Sequence, residues 1–390
     1  MATVSGVAPG RVERPTSTAE VAEVMRKAAT AGESVVPTGA GTKLDWGLPP
    51  TSADVLLDLS ALDQVTEHAS GDLIATAGAG TPLSRLQEEV SSDEQRLALD
   101  VTVPGATIGG TLAANTSGPR RLFAGTLRDL LIGVTVVRAD GVIAKAGGKV
   151  VKNVAGYDLG KLLIGSMGTL AVVTEATFRL HPVPRASRWL TVPAASPEEA
   201  GRLTQAVLHS QAVPAALDVD LARDGRIDVS VLVEGRPDGV AGRTQALVEL
   251  LPGATVGEEP PHGWGAYPWD VAATGDDRAT ALKLTFRLSG LPEVLAAARG
   301  LEVRGSAGVG VAYAAIPNDT DEQDVPSTVT RLRQVCEAHG GSVVVLDAPA
   351  AVKESVDVWG PVPALDLMRR VKNEFDPDHR LSPGRFVGGI

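Results

Sequence analysis

Along residues 17–31 the apolar positions Val21, Val24, Met25 and Ala28 recur on one helical face. Thr18 is the expected N-cap of that helix and Gly32 its stop. Short apolar runs over residues 34–37, 54–59 and 73–77 predict buried strands. Thr81 is expected to cap a helix over residues 82–90 that begins on proline. A strand over residues 131–138 ends in the turn Ala139-Asp140-Gly141. A longer β-rich run over residues 170–180 stops at His181-Pro182-Val183-Pro184, where paired prolines predict a domain exit.

Beyond that exit the pattern changes. Residues 190–192 read as a strand. Ser196-Pro197-Glu198-Glu199 is a capping box with proline at the first helical position, opening a helix to about residue 210. Residues 216–222 and 226–234 flank Asp224-Gly225, a hairpin signal. A helix follows over residues 239–251, and residues 252–277, rich in Gly and Pro, read as a long surface loop carrying Trp264, Tyr267 and Trp269. Strands over 281–288, 308–316 and 342–346 alternate with helices over 292–299 and 327–339, and the tail begins with a helix over 363–375. Mixed helices and antiparallel strands predict an α+β fold.

Composition narrows the function. The chain has 390 residues, net charge −11 and a single cysteine, Cys336, which excludes an internal disulfide framework and a cysteine-built zinc or iron–sulfur site. An acidic chain with no basic block argues against nucleic acid as a partner. No apolar run reaches the ~18 residues that span a bilayer, and residues 1–15 show no signal-peptide pattern. The expectation is a cytoplasmic protein without direct membrane insertion, associated with a membrane only through partner subunits. Of the chain's 43 glycines, those in the first 170 residues cluster among apolar stretches, which suggests backbone closely approaching a ligand.

Three glycine-rich segments carry this. Pro37-Thr38-Gly39-Ala40-Gly41-Thr42-Lys43 follows a strand but is followed by Gly47 and two prolines, so no dinucleotide-fold helix can start inside it. It reads as a nest of N–H groups facing an anion, or as a plain tight turn. Pro104-Gly105-Ala106-Thr107-Ile108-Gly109-Gly110-Thr111 feeds a short helix of small residues that ends near Asn115. Free donors at that helix start suit phosphate, although the glycines also suit packing of helix on sheet. The third segment runs from Lys152-Asn153-Val154-Ala155-Gly156-Tyr157-Asp158-Leu159 to Gly165-Ser166-Met167-Gly168-Thr169-Leu170.

Together these motifs resemble the PCMH-type FAD-binding domain of the vanillyl-alcohol oxidase superfamily, over about residues 14–185. Within it they are most similar to the smaller FAD-binding subunit of bacterial glycolate oxidase, and the tail Phe375-Asp376-Pro377 with Ser382-Pro383-Gly384-Arg385 agrees in form. The resemblance implies a two-subdomain FAD-binding domain over residues 1–184, an α+β cap with antiparallel sheet over 185–350, and a C-terminal helix and tail over 351–390 returning to the first domain. It also implies roles. Residues from Pro37 and Thr38 to Lys43 wrap the pyrophosphate, with Gly39 and Gly41 giving backbone access. Residues from Pro104 to Thr111 line the pyrophosphate and the isoalloxazine side. Asn115, Ser117 and Gly118 lie along the flavin. Gly168 and the backbone at Val172 meet the adenosine half or the ribityl chain. Covalent relatives carry a histidine after the first glycines; Thr42-Lys43-Leu44 stands there, so noncovalent FAD is expected.

The implied activity is oxidation of a small 2-hydroxy acid, with a larger FAD-binding subunit and an iron–sulfur subunit as partners. Catalytic relatives carry a His-x-Gly-Asp-Gly-Asn motif in the cap. The corresponding residues here run from Gly305 to Tyr313 without histidine, and the six histidines show no metal-ligand spacing. No metal site is expected. Lys283 and Arg287, four apart on one expected strand, could clamp a carboxylate, and Tyr313 could donate to a substrate; a solvated or salt-bridged sheet face for the first two and a packed position for the tyrosine are the commoner uses of such residues. A non-catalytic, scaffolding or electron-transferring FAD subunit is the alternative function.

Overall fold

The computed structural model describes residues 3–148 and 158–390. The segment Lys152–Tyr157 of the third motif lies outside the described residues. The chain forms two compact units. The first comprises Met1–Thr116, Thr126–Val183 and Val362–Ile390, and the second Ser117–Gly125 and Pro184–Pro361. Against the expected boundaries, residues 117–125, residue 184 and residues 351–361 therefore fall in the second unit.

The first unit contains two larger sheets and a two-stranded antiparallel pair, Gln95–Arg96 with His181–Pro182. A parallel sheet orders Arg11–Glu13, Val55–Asp58 and Val35–Thr38. An antiparallel sheet orders Val65–Ala69, Ile74–Gly78, Val172–Arg179, Leu131–Val137 and Ile143–Gly147. The helix Thr18–Ala31 buries Val21, Ala22, Met25 and Ala28 in a core shared with Val35, Val55, Val137 and Val172. Its N-cap is Ser17, whose hydroxyl accepts from the Glu20 N–H, rather than Thr18; Gly32 ends it in the left-handed region as expected. Thr81 likewise caps nothing. The helix Leu83–Ser91 starts after Pro82, and the Thr81 hydroxyl donates to the Gln64 carbonyl.

The second unit is built on an eight-stranded antiparallel sheet in the order Thr255–Gly257, Ala186–Ala194, Ile227–Gly235, Ala216–Leu221, Glu302–Ser306, Val311–Ile316, Thr280–Thr285, Ser342–Asp347. Helices Pro197–Leu208, Pro237–Leu250 and Val325–Ala338 pack on it, and Leu291–Ala297 packs against the first and last of these. Thr255–Gly257 corrects the reading of residues 252–277 as loop throughout: a short, solvent-exposed edge strand pairs there with Ala186–Ala194. It lacks a buried face, so its pattern carries no alternation. The strand expected over residues 281–288 ends at Thr285, which takes Arg287 off the strand. The architecture is α+β, as the sequence predicted.

The C-terminal helix Leu365–Phe375 buries one side chain completely, Lys372. Its ammonium donates to Asp376 Oδ2 at 2.7 Å, to the Thr169 carbonyl at 2.7 Å and to the Leu381 carbonyl at 3.0 Å. Asp376 Oδ2 also accepts from the Leu381 N–H at 2.7 Å. Removing one partner of a buried pair strands the other charge, at about 3–5 kcal/mol. Lys372→Met is therefore expected to lower the unfolding free energy of the FAD-loaded protein by about that amount in urea melts. A loss below about 1 kcal/mol would show that the pair is not structural.

Candidate functional site

A cleft with about 770 Å³ of empty space, open to solvent, lies in the first unit. One wall is the loop after Val35–Thr38, running from Pro37 through Thr38, Gly39, Ala40, Gly41 and Thr42 to Lys43 and Leu44. Another is Thr107, Gly109 and Gly110 with Ala113 and Ala114, at and along the helix Ile108–Ala114. Ser166, Met167 and Gly168 form a third, and Arg385 reaches in from the tail.

Backbone donors distinguish the loop. Among the described residues, the N–H groups from Gly39 to Lys43 make no hydrogen bond to another protein atom. Gly41 sits at φ +76°, in the left-handed region that turns successive N–H groups the same way. Unmet donors of this kind call for an acceptor, and a row of them suits the oxygens of a diphosphate.

Two cations stand with them. Lys43 donates to the Thr42 hydroxyl at 3.2 Å and has no acidic partner among the described residues; burial lowers its pKa to about 8. Arg385 is buried, donates to the Leu44 and Trp46 carbonyls at 2.8 and 2.9 Å, and leaves Nε unpartnered; burial lowers its pKa to about 10. Both guanidinium and ammonium charges suit a bound anion.

The second loop behaves differently from the expectation of free phosphate-binding donors. The Ile108 N–H donates to the Thr81 carbonyl at 2.9 Å and the Gly109 N–H to the Ala79 carbonyl at 2.8 Å. The Gly110 N–H is taken by the Thr107 hydroxyl at 3.3 Å. The helix start is thus closed by its own neighbours. Its glycines serve close approach: a Cβ on Gly109 would lie 2.9 Å from Ala79 Cβ, and one on Gly39 would collide with the Thr107 hydroxyl. The loop and helix are packed on each other, leaving a floor of small groups against which a flat ligand can lie.

The remaining expected cofactor residues are dispersed. Pro104 and Gly105 form an exposed turn, with Gly105 at φ +72°, and Ala106 is buried with its carbonyl on the Leu83 N–H. Thr111 is buried with its hydroxyl unpartnered, Asn115 ends the helix at φ +52° beside Gly165, and Val172 lies in the core. None of these six lines the cleft. Gly168 does, at φ +76°, where a Cβ would come 3.1 Å from Pro37 and 3.4 Å from the buried, unpartnered Ser382 hydroxyl. Ser117 and Gly118 belong to the second unit, where the Gly118 carbonyl accepts from Arg121.

Of the catalytic candidates, Lys283 and Tyr313 face each other across neighbouring strands. Arg287 does not join them: it is exposed beyond the strand end, with its N–H on the His339 carbonyl at 3.0 Å. Among the described residues no group of three or more His, Cys, Asp or Glu could hold a metal ion, and no helix is long and apolar enough to cross a membrane.

The cleft fits the diphosphate of a dinucleotide, and its titration is testable. Lys43 loses its charge above pH 8 in the empty site and regains it beside an anion, so binding takes up a proton there. FAD affinity is expected to be flat below pH 8 and to fall by up to about tenfold per pH unit above it. In Lys43→Met that slope should vanish and affinity at neutral pH should drop. Fluorescence titrations from about pH 6.5 to about pH 9.5 would show it; an unchanged slope in the variant would remove Lys43 from the site.

Comparison with known proteins agrees with this geometry. A family profile described as FAD binding domain matches residues 9–147. Glycolate oxidase subunit GlcD of Bacillus subtilis is 33% identical over 54% of this chain and 45% of its own length. A D-lactate dehydrogenase of Archaeoglobus fulgidus is 35% identical over 48% of this chain and 42% of its own. Glycolate oxidase subunit GlcE of Escherichia coli is 37% identical over 39% of this chain and 44% of its own. The chain thus matches less than half the length of these curated relatives. A solved alkyldihydroxyacetonephosphate synthase superposes with TM-score 0.71 at 16% identity, covering 95% of this chain and 75% of that one, which shows a shared fold. The chain carries an FAD binding domain of the PCMH type, and its cofactor is FAD.

Proposed function

We propose that this chain is an FAD-dependent oxidoreductase subunit that oxidises a small 2-hydroxy acid, glycolate or D-lactate, to the 2-oxo acid within a glycolate-oxidase-like complex. The observation that carries the reading is the joint one: a diphosphate-sized row of free donors with Lys43 and Arg385, in a chain similar to glycolate oxidase subunits and a D-lactate dehydrogenase. FAD, when bound, supplies the acceptor for the hydride from C2 of the acid. The hydroxyl proton leaves to a base, and the carboxylate needs a cation. In the first unit, Lys43, Arg385 and the N–H groups of residues 39–43 hold the diphosphate. The small side chains of Ala113, Ala114 and Ala171 leave room beside it. The larger FAD-binding subunit and the iron–sulfur subunit are the proposed partners, and the cofactor is held noncovalently, since Thr42, Lys43 and Leu44 offer no histidine for attachment.

The segment Gly305–Tyr313 has no histidine, which favours a second reading in which the chain binds FAD as a scaffolding or electron-transferring subunit. Anaerobic addition of glycolate and D-lactate separates the two. On the proposed reading, flavin absorbance bleaches in the assembled complex and does so less when this chain alone is replaced by Lys43→Met. Bleaching that is indifferent to this chain's flavin would support the scaffold. Acid precipitation is expected to leave all of the flavin in the supernatant; yellow protein in the pellet would overturn noncovalent binding.

A further inference from the structure

The second unit carries a cation cluster that the FAD cleft does not use. Lys283 and Arg304 are both directly opposite Tyr313 on neighbouring strands, so the three side chains share one face of the sheet. Arg304 is matched by Asp220 at 2.6 Å. Lys283, half-buried, has no ion pair or hydrogen bond among the described residues. Arg121, on the segment Ser117–Gly125, donates to the Tyr313 hydroxyl at 3.1 Å and to the Gly118 carbonyl at 3.0 Å. The acid whose charge it feels is Asp218. Two cations against one acid leave a net positive charge around one hydroxyl.

Aromatic rings wall the cluster. Tyr267 and Trp269 stack at 4.5 Å, and both meet Tyr313 edge-on, at 4.7 and 6.2 Å. The Arg121 guanidinium lies 5.9 Å from the Tyr313 ring centre. Rings in place of water lower the local dielectric and strengthen the field of the two cations. The field registers on Tyr313: burial pushes its phenol up, yet Arg121 and Lys283 together hold it below its ordinary value.

We propose that Arg121 and Lys283, with the Tyr313 hydroxyl between their charges, form a binding site for the carboxylate of a small organic monoanion. A net single positive charge matches one carboxylate better than a doubly charged phosphate ester. The guanidinium fork and the ammonium supply charge-assisted hydrogen bonds, and the phenol can donate or accept. The identity of the ligand as a 2-hydroxy or 2-oxo acid rests on the proposed function; the site itself does not. It assigns to Arg121 the place that the sequence pattern offered to Arg287.

Calorimetric titration of the FAD-loaded protein with pyruvate tests it, with neutral lactamide as the control. Pyruvate is expected to bind, and lactamide at least tenfold more weakly. Lys283→Met and Tyr313→Phe should each weaken pyruvate at least tenfold with the circular dichroism spectrum unchanged, while Arg287→Met should not. Lys283 is the decisive variant because it is half-exposed and pairs with nothing, whereas Arg121→Met could unfold its segment. Absence of pyruvate binding to the wild type, or unchanged binding in Lys283→Met, would overturn the site. Pyruvate binding that depends on Lys283, with no flavin reduction by any 2-hydroxy acid in the complex, would support the site and sink the proposed function. Flavin reduction with an unaltered KM in Lys283→Met would do the reverse.

Discussion

Lys372 and Asp376 form an ion pair at 2.7 Å with both side chains wholly out of contact with solvent, and the geometry of the candidate cleft depends on it. Burying two charges costs several kcal/mol per ion unless the geometry is good and the remaining donors are met. All three ammonium protons have acceptors, on Asp376, Thr169 and Leu381, and the same carboxylate oxygen takes the Leu381 N–H. One buried cation thereby ties the C-terminal helix, the turn that follows Gly168 and the tail to one point. The tail then runs beside Val35, with the Val35 N–H on the Arg380 carbonyl at 2.8 Å and the Ser382 N–H on the Val35 carbonyl at 2.9 Å. Val35 opens the strand whose far end becomes the glycine loop. The pair therefore fixes Arg385 and the loop relative to each other.

That arrangement accounts for how the cleft collects positive potential without a helix dipole. The seven-residue helix Ile108–Ala114 has its first donors closed by Thr81, Ala79 and Thr107. Its contribution is shape, through Gly109 against Ala79 and Gly110 and Ala113 along the cleft. Electrostatics come instead from the loop N–H groups, Lys43 and Arg385. A diphosphate bound there would meet partly desolvated cations, which interact more strongly than exposed ones.

Much of this was legible from the chain, for reasons that differ by residue. Gly41 and Gly39 leave a mark in the sequence for different reasons: few other residues tolerate the φ of +76° at Gly41 cheaply, and a Cβ on Gly39 would collide with Thr107. Helices and strands with a buried face followed their periodicity, whereas the fully exposed edge strand Thr255–Gly257 left no alternation to read. Arg385 is more than 300 residues from the loop that it joins. Its place is set by tail packing, which periodicity does not encode. The closure of the Ile108–Ala114 donors depends on carbonyls of residues 79 and 81, equally invisible locally. Arg121 was passed over because its importance comes from Tyr313, on a strand nearly 200 residues later. Lys283 was found through strand alternation, and Arg287 failed because the strand stops at Thr285.

A tail-borne arginine and a free-donor loop are the two elements proposed to hold FAD jointly. The most direct measurement is the flavin-to-protein ratio of Arg385→Met after gel filtration, beside the wild type, with circular dichroism as the control on folding. A near-stoichiometric ratio is expected for the wild type, and a folded variant that elutes largely without flavin. A folded Arg385→Met that keeps its full complement of FAD would contradict it.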